Sequence, residues 1–197
     1  MRTPRTLFDA AYYRRYYLDP ATRVHHAGGQ GRLAALVFAW MDYLELPVRR
    51  VLDMGCGLGH WRRELLRRHP AARYTGVEGS EYLCRTHGWE QGSADTWKGR
   101  GRFDLVVCQS VLQYLEDAQA RAAIANLARH CRGLLYLEAL TRGDWDRYCN
   151  KQVTDGRVRL RTAAWYRKET SRHFRPLGGG LFLPWDSPAV LYELEAP

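Results

Sequence analysis

The segment Val51-Leu52-Asp53-Met54-Gly55-Cys56-Gly57-Leu58-Gly59 constrains this chain more than any other. It closes a short apolar run, Val48 to Met54, of the length a buried strand uses. A stretch with helical periodicity, His60 to Arg68, follows directly. Three glycines at alternate positions let the backbone turn sharply between the two and approach a ligand closely. The helix that opens there presents free N–H groups and a partial positive end to the turn. A strand, a tight glycine turn and a helix in succession commit the chain to a sheet with helices packed on it.

The remaining pattern extends that unit. Tyr74 to Val77 is a strand candidate, Glu81 to Thr86 a short helix, and Phe103 to Cys108 a buried strand. Asp117 to Cys131 reads as a helix and Leu134 to Leu137 as a further strand. This alternation predicts an α/β fold, a mostly parallel seven-stranded sheet with helices on both faces. Near the end, Ala163 to Phe174 is expected to be helical. Gly178 to Pro184 and Ala189 to Leu194 are expected to pair as an antiparallel hairpin, turning at Asp186-Ser187-Pro188. At the start, Asp9 is positioned to cap a helix carrying Tyr12, Tyr13, Tyr16 and Tyr17, which Asp19-Pro20 ends. His25, His26, Gly28, Gly29 and Gly31 read as a loop. A second helix, Leu33 to Leu46, follows with Leu33, Leu36, Val37, Trp40 and Leu44 on one face. One domain over 1–197 is expected: an N-terminal helical lid (1–47), a core (48–140), a polar insertion (141–160), and a C-terminal helix and hairpin (161–197).

Composition limits the partners. Net charge is +9, yet 27 of the 30 basic residues are arginine and they are spread along the chain. Only Arg157, Arg159, Arg161, Arg167, Lys168, Arg172 and Arg175 are dense, and a solvated helix face accounts for such a cluster as well as a nucleic-acid partner does. A nucleic-acid partner is not favoured. No run is long and apolar enough to span a membrane and no secretory pattern opens the chain, so a cytoplasmic location is expected. The five cysteines are odd in number and lack C-x-x-C spacing, so neither a disulfide framework nor a metal cluster is expected. The oligomeric state stays open.

The chemistry is written in three details of the glycine turn. The pattern is Asp-x-Gly-x-Gly-x-Gly, with Asp53 two residues before Gly55. A carboxylate repels a pyrophosphate but attracts a cofactor carrying an amino group and a sulfonium. The dinucleotide fingerprint wants a glycine at position 60, where this chain has His60. Glu78, 19 residues after Gly59, ends the next strand, where a carboxylate accepts hydrogen bonds from both hydroxyls of a ribose.

With those residues in view, the chain resembles the class I, Rossmann-like, S-adenosylmethionine-dependent methyltransferases over roughly 48–195. The resemblance implies that Asp53, Gly55, Cys56 and Gly57 hold the methionine part of S-adenosyl-L-methionine, and that Glu78 and Gly79 hold the ribose. It implies that the loop Gly92-Ser93-Ala94-Asp95 meets the adenine, through an N–H near Ala94 and a side chain of either Ser93 or Asp95. It also implies that Gln109 and Ser110, after Phe103 to Cys108, lie at the reacting methyl. The product would be S-adenosyl-L-homocysteine and the acceptor a small molecule. Arg23 is a candidate for the cofactor carboxylate. Tyr13, Tyr16, Tyr114, Glu138, Trp145 and Tyr148 are candidates for the acceptor pocket, Tyr13 and Tyr16 equally suited to plain packing and Tyr114 better suited to the core. His25 and His26 are weaker candidates for a general base, and that catalytic role is left open. The alternatives are an RNA or protein methyltransferase using 157–175, and a cofactor-binding protein without catalysis.

Overall fold

The computed structural model describes residues 8–23, 27–193 and 195. The strands are β1 (Arg50–Met54), β2 (Arg73–Glu78), β3 (Glu90–Gln91), β4 (Phe103–Gln109), β5 (Cys131–Glu138), β6 (Phe174–Gly178) and β7 (Leu181–Pro184). They form one sheet in the order β3-β2-β1-β4-β5-β7-β6. The first five are parallel, while β7 runs antiparallel to β5 and to β6. The helices are α1 (Ala10–Tyr13, continued by a π-helical turn, Arg14–Leu18), α2 (Ala27–Tyr43), α3 (His60–Arg68), α4 (Glu81–His87), α5 (Asp117–His130), α6 (Arg142–Arg147) and α7 (Ala163–Thr170). The expected Rossmann-like α/β architecture is the one observed.

Alternation along the strands divides the core into two layers. Val51, Leu105, Val107, Leu134 and Tyr136 face α2 and α3, meeting Phe38, Met41, Trp61 and Leu65. Their sequence neighbours Leu52, Val106, Cys108, Leu135 and Leu137 face the other way, against Ile124 and Leu127 of α5 and Tyr166 of α7. The central strands are therefore apolar on both faces, which is why Phe103 to Cys108 reads as an unbroken apolar run but for Asp104.

Asp104 is buried, and its bonds explain its presence. One carboxylate oxygen accepts from the Arg49 and Arg50 amides, each at 2.8 Å. The other accepts from Arg132 Nε at 2.8 Å. This ties the entry of β1 to β4 and β5. Asp104→Ala leaves two amides and a guanidinium without their acceptor, so a loss of about 3 kcal/mol of stability is expected in urea unfolding. A change below about 0.5 kcal/mol would show that water replaces the carboxylate.

Two expectations are corrected. The hairpin is formed by Phe174–Gly178 and Leu181–Pro184, with its turn at Gly179-Gly180, and 189–193 is not a strand. Gly178, Gly179 and Gly180 all have positive φ (85°, 59° and 81°), the backbone a tight hairpin turn requires. The helix before it consequently stops at Thr170, and Phe174 enters the sheet fully buried. The other correction is α2, which starts at Ala27, inside the expected loop, and buries Ala34, Val37, Phe38 and Met41. Leu36, expected on the core face, is 62% exposed. Packing against the sheet overrides the weak helix propensity of its glycines. His25 and His26 lie outside the described residues. Asp9 does cap α1, accepting from the Tyr12 amide at 2.9 Å, and the helical run ends at Asp19.

Candidate functional site

A cavity of about 980 Å³ opens at the carboxyl ends of β1, β2, β3 and β4. The chain departs in opposite directions from β1 and β4 there, the crevice where open parallel sheets bind ligands. Its floor is the glycine turn. Gly55 has φ +77°, and a Cβ on it would stand 2.2 Å from the Val111 methyl, so no side chain is accommodated. The Gly55 and Cys56 amides donate to the Val77 carbonyl, at 2.7 and 3.2 Å, and fasten the turn to β2.

Glu78 ends β2 inside this cavity and is nearly buried. One of its oxygens accepts from the Gly57 amide and the other from the Ser80 amide, each at 2.9 Å. The carboxylate is thereby held in one orientation, with a lone pair left on each oxygen for a ligand. Asp53 is 2% exposed. Tyr74 donates its hydroxyl to one Asp53 oxygen at 2.6 Å, and the other has no partner among the described residues. Burial pushes the Asp53 carboxyl up to about 7; the Tyr74 hydrogen bond opposes this and the Glu78 charge adds to it. The site therefore holds a carboxyl poised to ionise beside a cation.

The third wall is the loop after β3. Ser93 donates its hydroxyl to Asp95, so the two candidates for one role form a single unit. Asn126 donates to the carbonyls of Ala94, at 3.0 Å, and Trp97, at 2.9 Å, fixing the loop against α5. The Ala94 N–H has no partner among the described residues.

The roof is α1. Tyr12 and Tyr13 are buried, packing with Leu83 of α4 and against Leu58, Tyr82 and Trp89. The Tyr12 and Tyr114 hydroxyls are 3.0 Å apart, and the Phe8 carbonyl accepts from the Ser80 hydroxyl at 2.5 Å. Tyr12, Tyr13 and Tyr17 line the cavity with Tyr114, and burial raises all four phenols above the usual range.

Of the residues singled out from sequence, Asp53, Gly55, Cys56, Gly57, Glu78, Gly79, Ser93, Ala94, Asp95, Gln109, Ser110, Tyr13 and Tyr114 line this one cavity. Glu138 stands behind its wall, accepting from the Ser110 hydroxyl at 2.7 Å. Ser110 itself has φ +57°, a strained backbone for a side-chain-bearing residue. Tyr16 packs on Tyr12 outside the lining. Arg23 is not in the lining, and its Nε is buried without a partner among the described residues. Trp145 and Tyr148 are corrected: neither reaches the cavity. Trp145 lies beneath Lys151, and Tyr148 is 79% exposed. The Thr141–Arg161 pairing closes the base of the insertion, and no residue of α6 is in the cavity lining.

Sequence reasoning missed Trp61, His60 and Arg157, which also line the cavity. Trp61 donates its indole N–H to Gln109 Oε1 at 3.1 Å. Its place one residue into the helix after the glycine turn was the available signal. Arg157 carried none, since it stood in a run read as a solvated face. That run is not a free basic patch either: Arg157, Arg159, Arg161 and Arg172 pair with Asp155, Glu116, Asp117 and Glu169.

Known proteins share this architecture. The chain is 28% identical to a trans-aconitate 2-methyltransferase of Azoarcus sp. over 156 residues, 75% of this chain and 55% of that protein. It is 32% identical to a malonyl-[acyl-carrier protein] O-methyltransferase of Legionella pneumophila over 96 residues, 43% of this chain and 34% of that one. The chain thus spans between about a third and just over half of the length of these relatives. Among solved structures, Streptomyces venezuelae DesVI superposes with a TM-score of 0.62 at 16% identity, covering 79% of this chain and 92% of its own. The magnesium protoporphyrin IX methyltransferase of Synechocystis PCC 6803, solved with bound SAM, gives 0.60 at 21% identity, covering 86% and 84%. The methyltransferase domain family matches residues 20–178, four-fifths of the sequence, and this chain belongs to it.

Proposed function

We propose that this cavity binds S-adenosylmethionine and that the chain transfers its methyl group to a small-molecule acceptor, releasing S-adenosylhomocysteine. The observation that carries the reading is the pair of buried acidic side chains flanking the glycine turn: Glu78, at the end of β2 and oriented by two amides, and Asp53, at the end of β1 and with one oxygen free among the described residues. The donors and acceptors left open match the cofactor's parts. Glu78 has a lone pair on each oxygen for the ribose hydroxyls, Asp53 an oxygen for the ammonium, and Ala94 an N–H for the adenine edge. The cavity volume is at the upper end for sites that enclose one ligand, leaving room for an acceptor as well.

When bound, the cofactor supplies a methyl group already activated by its sulfonium. The protein's part is to position and to exclude water. The tyrosine roof covers the site from the N-terminal side. Relatives with printed acceptors, trans-aconitate and malonyl-[acyl-carrier protein], support a small acyl or acidic acceptor class over a nucleic acid. Among the described residues no helix is long and apolar enough to cross a membrane. A cytoplasmic setting is part of the proposal, supported by five cysteines that are all unpaired.

Calorimetry across pH tests the reading. In the free protein Asp53 keeps its proton to about pH 7, well above an ordinary carboxyl. A bound ammonium favours the ionised form, so binding at lower pH must release that proton. S-adenosylhomocysteine affinity should therefore rise about tenfold per pH unit between about 5 and 7, then level off. The unliganded protein should show the opposite sign. The raised carboxyl lets the folded state hold a proton that the unfolded chain gives up, so this group's contribution to stability falls as pH rises from about 4 to about 7. Asp53→Asn should flatten the binding profile. Affinity indifferent to pH, or tight NAD binding in place of S-adenosylhomocysteine, would contradict the assignment.

A further inference from the structure

The cavity shows what kind of acceptor it is built for, and that question rests on the methyl-transfer reading above. Gln109 leaves the carboxyl end of β4 and enters the cavity. Its amide orientation is decided by Trp61. An indole N–H is only a donor, so the atom 3.1 Å from it must be the Gln109 oxygen. The Gln109 amide therefore turns its NH₂ to the free side, and that group has no partner among the described residues. At the end of β4 the free side of Gln109 thus offers two N–H donors to the cavity.

The charge pattern agrees. Asp53, Glu78 and Asp95 are the carboxylates that line the cavity among the described residues, and all three lie on the glycine-turn, β2 and β3 side. Glu138, near Gln109, lies behind the wall with one oxygen holding the Ser110 hydroxyl. Arg157 is the one arginine or lysine among the described lining residues. Asp155, itself buried, grips it from behind: one carboxylate oxygen accepts from the Arg157 amide at 3.0 Å and from its Nε at 3.2 Å. That anchors the guanidinium by its Nε edge, while the side chain as a whole stays 57% exposed. Its two terminal nitrogens have no partner among the described residues, leaving the edge that pairs bidentately with a carboxylate.

We propose that the acceptor is a small carboxylic acid, methylated on a carboxylate oxygen, with Gln109 and Arg157 supplying the donors that hold its anionic groups. The chemistry balances without a further reagent. A carboxylate oxygen lone pair forms the new C–O bond to the methyl carbon as the C–S bond breaks, and the breaking pair returns to sulfur. A negative carboxylate and a positive sulfonium become a neutral ester and a neutral thioether. No proton moves, because a carboxylic acid is already ionised at neutral pH. Such a transfer requires no general base. An amine acceptor, in contrast, arrives as an ammonium and needs a partner to take its proton, and would face Gln109 N–H groups and a guanidinium.

The test uses the full chain with a panel of aliphatic mono- and dicarboxylic acids, matched primary amines, and phenols. S-adenosylhomocysteine formation is followed for turnover, and alkaline release of methanol identifies a methyl ester. Calorimetry of acid binding to the protein saturated with S-adenosylhomocysteine supplies a readout independent of turnover. Acids should be methylated and amines not. Arg157→Gln should raise KM and the acid's Kd roughly tenfold to a hundredfold, with the S-adenosylhomocysteine Kd within about twofold of wild type and partial rescue in Arg157→Lys. Gln109→Glu still accepts from Trp61 but places a negative charge at the acceptor, and should lower acid turnover at least about a hundredfold. Transfer to amines or phenols but not acids overturns the acid assignment while leaving methyl transfer intact. Transfer to no acid in the panel, with S-adenosylhomocysteine still bound tightly, overturns it as well. Failure to bind S-adenosylhomocysteine at all would instead overturn the reading on which it rests.

Discussion

Glu78→Ala is expected to weaken S-adenosylhomocysteine binding by about 2–4 kcal/mol, roughly thirtyfold to several hundredfold, while the domain stays folded. Two hydrogen bonds from a ligand to a charged acceptor set the size, less what water replaces. The structure adds a second contribution of the same sign. The Glu78 carboxylate also receives the Gly57 and Ser80 amides, so its removal frees the glycine turn and the start of α4 together. Glu78→Gln separates the two effects. It retains one oxygen for an amide and loses the charge, and should fall between wild type and Ala. The fold should survive because neither main apolar layer includes Glu78. Titration calorimetry measures the loss directly, and an unchanged Kd would show that a different residue holds the ribose.

The other large effect is expected from the roof. Removing residues 1–18 should abolish turnover, by at least about a hundredfold, and weaken cofactor binding, yet leave a cooperatively folded domain. The roof helix packs in its own small cluster with Leu83, Leu58, Tyr82 and Trp89, apart from the two layers that hold the sheet. Its loss therefore removes one wall of the cavity but not the core. Water then reaches the site, and the tyrosines no longer orient an acceptor. Amide exchange should slow in 8–18 when S-adenosylhomocysteine is added, because segments that close over a ligand come from the less stable part of a fold. Full activity in the truncated protein, or exchange that ignores the ligand, would reduce Tyr12, Tyr13 and Tyr17 to packing.

The central sheet was legible because its constraints are local. Phe103 to Gln109 is apolar on both faces, and glycines at 55, 57 and 59 must turn, so strand, turn and helix follow within a few residues. Glu78 and Asp53 were legible for the same reason: a carboxylate at such a turn has few structural uses. The C-terminal hairpin was misplaced because Gly178-Gly179-Gly180 admits either a strand end or a turn, and only pairing with β5 decides. The acceptor side was largely illegible. Arg157 reaches the cavity from a segment about a hundred residues after the glycine turn, through a loop closed by the Thr141–Arg161 pairing, and no sequence period reports that. Trp145 and Tyr148 looked useful as aromatics in a polar stretch, but Trp145 lies beneath Lys151 and Tyr148 is exposed to solvent.

What occupies the cavity above the glycine turn is answered most directly by a crystal structure of the chain with S-adenosylhomocysteine. The predicted result places the ribose hydroxyls on Glu78, the ammonium on the free Asp53 oxygen, and the adenine edge at the Ala94 N–H. A ligand bound elsewhere, or one in this cavity that leaves both Glu78 and Asp53 without contact, would contradict it.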